Sequence, residues 1–313
     1  MLEGQPFNWG VMGVAEKIQA FADDLPYATH SHRLKAVVGG EGLNLPETTV
    51  VSSLDQLLQS EIDAVYIATA FGQHYEQVVQ CLEARVPVLC ERPIGLNAGQ
   101  LQRLMQLSAD KGTFMMEAMW IRFLPSIKKI LSIVSSGTIG EVVSVKASIS
   151  PRFSDRSTQT AEERLATLME IGSYPVFLAT LFLGKPEYVQ ATGKVAASGK
   201  RELFAAFLSY RQGQYSFLEM NLNLGISSAH IQGDKGSVLI RNPWSPKPEG
   251  IEVDLLDGTK VLHRSEWPGM GLHFELDEVA ACVRKRVTES PLFCHHFMLD
   301  VVHTVDAIRT QLA

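Results

Sequence analysis

Glu91-Arg92-Pro93 closes an apolar run, Val86-Pro87-Val88-Leu89-Cys90, and so sets an anion and a cation where a buried strand stops. Charged side chains at the carboxyl end of a buried parallel strand lie where open α/β sheets bind ligands. Gly13-Val14-Ala15 follows the apolar stretch Phe7 to Met12 and precedes a helical pattern from Glu16 to Asp23. A glycine turn between strand and helix can hold a pyrophosphate on the helix's free N–H groups. The strict GxGxxG spacing is not met, because Ala15 and Ile18 stand at the later small positions. Glu41, flanked by glycines after a second strand from Leu34 to Val38, either faces ribose hydroxyls or is a solvated turn residue. His30 and His32 read as members of a solvated loop. Cys294-His295-His296 are too close in sequence to converge on one ion, so no metal is expected.

These groups need elements to position them. Asp63 to Pro93 supplies a βαβ unit: a strand over Ala64–Ala68, a helix over His74–Ala84 with Tyr75, Val78, Val79 and Leu82 inward, then a strand ending at Cys90. Its crossover is expected to be right-handed. Leu54–Leu58 reads as a short helix, Ala98–Ala109 as a helix with Asn97 as N-cap and Gly112 past its end, and Thr113–Met119 as a strand. Pro125–Ser135 carries one apolar helical stripe. After Gly140 the pattern changes. Val142–Ser150 alternates as a half-exposed strand, Leu165–Leu183 is helical with an interruption near Gly172 and Pro175, and seven β runs follow between Tyr188 and His263. Phe274–Val287 and His296–Leu312 are closing amphipathic helices. The expected architecture is an α/β domain with a mostly parallel sheet over residues 1–122. An α+β domain with an open, mainly antiparallel sheet follows over 123–313, its closing helices able to pack back on the first.

The chain has 313 residues, 46% of them hydrophobic, and a formal net charge of −6, enough for two cores and without the basic stripe of a nucleic-acid surface. Its four cysteines show no CxxC pairing and read as buried thiols of a reducing compartment. With no apolar stretch of membrane-spanning length and no signal-peptide pattern, a cytoplasmic protein without membrane partners is expected.

From Trp9 onward the chain resembles the glucose-fructose oxidoreductase/inositol dehydrogenase/MocA-type oxidoreductases, and within them the dimeric dihydrodiol dehydrogenase subgroup. The resemblance is carried by Trp9-Gly10-Val11-Met12-Gly13, Asp63 to Thr69 with His74 beyond it, and Cys90-Glu91-Arg92-Pro93-Ile94. Further carriers are Met116 to Phe123, Gly137 to Val142, and Gly172-Ser173-Tyr174-Pro175. It implies a Rossmann domain holding NAD or NADP, a C-terminal sheet that mediates homodimers, and an active site in the cleft between the domains. Its chemistry is hydride transfer to or from a hydroxyl-bearing carbon of a sugar, polyol or diol. The implied cofactor residues are Gly10, Gly13, Val14, Ala15, Glu41, Thr69, His74, Glu91, Trp120 and Arg122. The implied catalytic residues are Tyr174, Glu170 and Arg92.

Several of these positions depart from the family. The subgroup has Lys where this chain has Arg92, and Lys and Tyr together serve the proton side of the reaction. Arg does not give up its proton, so it can hold a positive field over the substrate oxygen while Tyr174 alone exchanges the proton. Otherwise Arg92 only pairs with Glu91. Glu170 stands for an Asp, Arg164-Leu165-Ala166 for a glycine run, Gly39-Gly40 for a Ser/Asp-Arg pair, and Ala70-Phe71 for Pro-Asn. Ile18 is bulky enough to push its helix off the cofactor. Trp120 serves the cofactor or the core. Arg152 and Arg156 belong to a surface loop or reach an anionic substrate. The alternative to an enzyme is an impaired relative that keeps the scaffold to bind a ligand or partner.

Overall fold

A computed structural model of the chain describes residues 5–150, 161–195, 202–221, 227–264 and 266–312, with the side chains of 161–169 outside the description. The chain divides into two compact units, residues 1–124 with 267–299, and residues 125–266 with 300–313.

In the first unit the elements run β1 (Phe7–Gly13), α1 (Ala15–Asp24), β2 (His32–Val38), β3 (Thr49–Val51), α2 (Leu54–Leu58) and β4 (Ala64–Ala68). They continue with α3 (Phe71–Glu83), β5 (Val88–Cys90), α4 (Ala98–Lys111) and β6 (Met115–Glu117). The six strands pair in parallel in the order β3-β2-β1-β4-β5-β6. The order reverses between β1 and β4, the switch point at which doubly wound sheets take ligands. All five residues of β4 are buried, as a continuous apolar run in a parallel sheet requires. Phe21 of α1 meets Trp9 edge-to-face and stacks on Tyr66, with ring centroids 5.5 and 5.3 Å apart.

Three readings of this unit change. α3 starts at Phe71, three residues earlier than the apolar pattern predicts, and its inward stripe is His74, Gln77, Val78, Cys81 and Leu82. Two polar residues complete that stripe, which is why an apolar count started late. β3 was missed because three residues at a sheet edge leave no period to count. His32 is not in a solvated loop. Its side chain is fully buried, Trp9 Nε1 donates to its Nδ1 at 2.9 Å, and its Nε2–H donates to Asp277 at 3.1 Å.

The second unit runs α5 (Pro125–Ser135), β7 (Val142–Ile149), α6 (Ala161–Leu183), β8 (Tyr188–Val195), β9 (Glu202–Ser209) and β10 (Tyr215–Asn221). β11 (Ser228–Gly233), β12 (Gly236–Arg241), β13 (Ile251–Leu255) and β14 (Lys260–His263) complete one eight-stranded sheet, ordered β14-β13-β12-β11-β7-β10-β9-β8. Every neighbouring pair is antiparallel except β7–β10. α6 is unbroken, contrary to the expected interruption. Burial of Ile171 through Ala179 outweighs the roughly 3 kcal/mol that an internal proline costs. Gly172 has its own task there, since a Cβ would lie 2.4 Å from Met220 Sδ.

Helix α7 (His273–Arg284) belongs to the first unit, and α8 (His295–Leu312) begins in the first and ends in the second. Asp24, at the end of α1, accepts from the His273 backbone N–H at 3.0 Å and faces His273 Nδ1 at 3.1 Å. Asp277 of α7 accepts from the backbone N–H groups of Thr29 and His30 as well as from His32. Burial raises its pKa, but those hydrogen bonds win and bring it down to about 2. No helix among the described residues is long and apolar enough to cross a membrane.

Candidate active site

The carboxyl ends of β1, β2, β4, β5 and β6 gather the groups that chemistry could use. At β1 the chain turns through Gly13 into α1, whose N-cap Val14 has an exposed side chain and makes no side-chain cap. The first N–H groups of such a helix have no intrahelical partner and suit an anion. A Cβ on Gly13 would lie 2.7 Å from Ala68 O, so only glycine lets β1 and β4 approach here. Gly39 has φ +83, and its Cβ would fall 2.3 Å from Gly13 O. The glycine loop after β2 therefore lies directly on the β1–α1 turn, a cradle that any side chain would fill. Ile18 does not push α1 away: it is fully buried, and the missing side chains at Gly39 and Gly40 make room for its Cδ1. We expect Gly39→Ala to destabilise the fold by at least about 1–3 kcal/mol, with a matching fall in the urea midpoint. An unchanged midpoint would mean that the loop can move off the turn.

Glu91 is the hub of the site. Its Oε1 accepts from Lys17 Nζ and from the Tyr66 hydroxyl, both at 2.8 Å, and its Oε2 lies 3.8 Å from Arg92 Nη1. Burial raises its pKa, but Lys17 and Arg92, with the hydrogen bonds from Lys17 and Tyr66, overcome that and hold it below the ordinary glutamate value. Tyr66 moves the other way, pushed well up by burial and by the Glu91 charge. Arg92 also donates to Ala118 O at 3.2 Å, at the end of β6, and its peptide to Pro93 is cis. Glu117, the last residue of β6, accepts from Ile94 N at 2.8 Å and pins the loop that carries Arg92.

Two further carboxyls crowd this hub. Burial, and then weaker effects of both signs, leave Glu117 above its ordinary value. Fully buried Glu275, on α7, is pushed well above its own by burial and the Glu91 charge; the Met119 N–H and Arg92 oppose this, and Glu117 adds to it. One carboxyl with a lowered pKa thus sits beside two with raised ones, the division expected when like charges share a dry site.

Thr69 follows β4 directly and donates its hydroxyl to Gln77 at 2.6 Å. His74 is buried between two carbonyls, with Nε2 3.0 Å from Thr69 O and Nδ1 2.9 Å from Pro93 O. It ties the loop after β4 to the loop after β5. Other expected cofactor residues are placed differently. The space of a side chain at Gly10 is taken by Ile62 and Leu57, so this glycine admits protein. Glu41 is exposed and accepts from the Gly40 N–H within its own turn. Arg122 is buried and donates to Leu292 O at 2.8 Å; burial lowers its pKa, with Glu278 opposing. Trp120 opens the short 3-10 turn that carries Arg122 and is half-buried.

In the second unit, Tyr174 and Glu170 lie one helical turn apart on α6. Tyr174 is 8% exposed, and its ring stacks on Trp244 with centroids 5.7 Å apart. Trp244 is fixed in turn by donating to Ser148 O at 2.8 Å. Glu170 is half-buried, and its carbonyl accepts from Ser173 Oγ. Arg152 and Arg156 lie outside the described residues, as do the side chains of Arg164, Leu165 and Ala166. The sequence reading missed Lys17, Tyr66, Gln77, Glu117, Glu275 and Trp244. Of these, Lys17 was legible as the one cation in the first turn after Gly13, and Tyr66 as the only hydroxyl in an apolar strand.

Two family profiles match the chain: one described as an oxidoreductase family with an NAD-binding Rossmann fold, over residues 7–119, and the GFO/IDH/MocA C-terminal domain, over 127–239. A trans-1,2-dihydrobenzene-1,2-diol dehydrogenase from Mus musculus is 25% identical over 305 residues, covering 91% of this chain and 90% of that protein. The enzyme of the same name from Bos taurus is 30% identical over 244 residues, covering 74% and 72%. Among solved structures, KijD10, a 3-ketoreductase from Actinomadura kijaniata in complex with NADP and TDP-benzene, superposes with a TM-score of 0.81. That likeness is at 21% identity and covers 98% of both chains.

Proposed function

Because the chain belongs to the Gfo/Idh/MocA family of NAD(P)-dependent oxidoreductases, we propose that it transfers hydride between NAD or NADP and a hydroxyl-bearing carbon of a small diol, sugar or polyol. The observation that carries this reading is the cradle at Gly13 and Gly39, closed to side chains and set on the N-terminus of α1. The N–H groups of Val14 and Ala15, at the start of α1, would hold a dinucleotide's pyrophosphate, with Glu41 and Thr69 toward the ribose and nicotinamide ends. A bound nicotinamide supplies the capacity to gain or lose hydride.

The protein's own residues manage the proton. Hydride can leave a carbinol only as its hydroxyl proton is taken, and the Tyr174 phenol is the group assigned to take and return it. Arg92 keeps its charge throughout and offsets negative charge developing on the substrate oxygen. Glu91 and Ala118 O fix the guanidinium's direction. Glu170 orients the substrate's polar edge one turn from the phenol. The four free thiols agree with a reducing, cytoplasmic setting.

The test is NAD(P)H oxidation and reduction across a panel of vicinal diols, keto-sugars and polyols. Turnover of at least one member is the expected result, and Arg92→Lys is expected to raise kcat, because lysine restores a second group able to exchange a proton. A panel without turnover by either protein would leave the impaired-relative reading.

The assembly is a homodimer formed through one face of the second unit's sheet. That face carries exposed Leu203, Phe207 and Phe217, with Phe207 directly opposite Phe217 and stacked on Tyr215 at 5.9 Å. Contiguous apolar side chains left in water mark an interaction surface. Phe217→Glu is expected to give a monomer in sedimentation velocity at micromolar protein; an unchanged species would remove this face from the interface.

A further inference from the structure

Three helices of the first unit end at one cavity of about 260 Å³, lined by Arg85, Pro87, Lys111, Phe114, Val283 and Arg286 among others. It lies at the amino end of β5, opposite the end that bears Glu91 and Arg92. Each helix finishes in the same hydrogen-bonded hook. After α3, Arg85 N bonds Leu82 O at 3.0 Å and Val86 N bonds Cys81 O at 2.9 Å. After α7, Arg286 N bonds Val283 O at 3.0 Å and Val287 N bonds Cys282 O at 3.2 Å. After α4, Gly112 N bonds Ala109 O and Thr113 N bonds Ser108 O. This hook needs a left-handed residue at its corner, where glycine is usual because a Cβ is strained. α4 obeys, with Gly112 at φ +62. α3 and α7 place arginine there, at φ +57 and +58.

Two strained arginines on the rim of one cavity call for a reason that the fold alone does not supply. A cation near a helix C-terminus offsets the dipole, but the last turn offers that at no backbone strain, and α7 already carries Arg284 there; α3 carries no basic residue in its last turn. Charge balance points the same way. Lys111 is paired with Glu83. Arg85 donates to a carbonyl, Lys111 O, at 3.0 Å, and among the described residues neither Arg85 nor Arg286 has an acidic partner. The cavity thus has two uncompensated guanidinium groups at its mouth over a floor of Pro87, Phe114, Val283 and Val287.

We propose that this cavity binds a small organic anion, a phosphate monoester or carboxylate with a flat apolar body. The body lies on Pro87 and the valines, and the charged head is held by Arg85 and Arg286. Guanidinium forks match both head groups.

Phenyl phosphate is the probe, titrated by calorimetry into the full chain and into the Arg85→Gly/Arg286→Gly double variant. Glycine suits both corners, so the variant is expected to fold with an unchanged or higher Tm. Saturable binding to the parent, weakened at least tenfold in the variant, is the expected result, with inorganic phosphate binding more weakly than the ester. Absence of saturable binding, or equal affinity for the variant as would follow from entry into the nucleotide cradle, would overturn the proposal. So would a lowered Tm with binding unchanged, which would assign the arginines to helix termination. The measurement involves no turnover and stands apart from the assignment of Tyr174.

Discussion

Tyr174→Phe is expected to lower kcat by about 10²–10⁴-fold, the usual worth of a positioned acid/base group, with little change in the affinity for NAD(P)H. The ring's place is set by its stack on Trp244 and by burial in α6, neither of which needs the hydroxyl. Phe should therefore keep the ring's stack on Trp244 while losing the exchangeable proton. The pH profile separates this role from a packing role. If the phenol takes the carbinol proton, the acid limb of the diol oxidation profile, where the rate climbs as the phenol deprotonates, disappears in the variant, and the residual rate becomes flat with pH. A variant that retains both the limb and most of kcat would move the proton transfer elsewhere.

Glu91→Ala is expected to cost about 3–5 kcal/mol of stability, as removal of one member of a buried ion-pair network does. It removes the anion beside the Arg92 guanidinium, which is 10% exposed, and leaves the Tyr66 hydroxyl without its acceptor. The pH dependence has a definite sign. Glu91 has a folded pKa below its unfolded value, so its contribution is present above the unfolded value, about 4.3, and is lost as pH falls through the folded one. Glu275 has a folded pKa far above its unfolded value, so its contribution is present in acid and is lost as pH rises toward the folded value. Glu275→Gln, which cannot ionise, should thus gain Tm on the parent as pH is raised from 5 to 9, and Glu91→Ala should converge on the parent as pH is lowered. Thermal melts across that range check the first and melts carried down below about pH 4 check the second; parallel curves for parent and Glu275→Gln would mean that Glu275 is ionised in the fold.

The sequence exposed the frame of this site better than its wiring. Apolar runs and glycine turns located β1, β4 and β5, because a strand buried on both faces must be apolar along its length and its exit must be tight. Glu91 and Arg92 stood out for the same reason, as charges at the end of such a run. What remained hidden depends on contacts between residues far apart in the chain. Lys17 meets Glu91 across 74 positions, and Asp24 reaches the start of α7 across 249. Glu275 looks like any acid of an amphipathic helix until the fold buries it. Gly39 reads as part of a loose loop, and only the approach of Gly13 O shows why a side chain is excluded. His32 opens a strand that the apolar count began two residues later, at Leu34, so its neighbours Trp9 and Asp277 could not be guessed.

The most direct test of the account is a fluorescence titration of the full chain with NADH and, separately, NADPH, repeated with Gly13→Val. The β1–α1 turn predicts saturable binding of at least one nucleotide to the parent chain, and its loss when the valine Cβ, 2.7 Å from Ala68 O, forces that turn out of place. Failure of both nucleotides to bind, or binding that Gly13→Val leaves intact, would contradict the claim that this turn holds a dinucleotide.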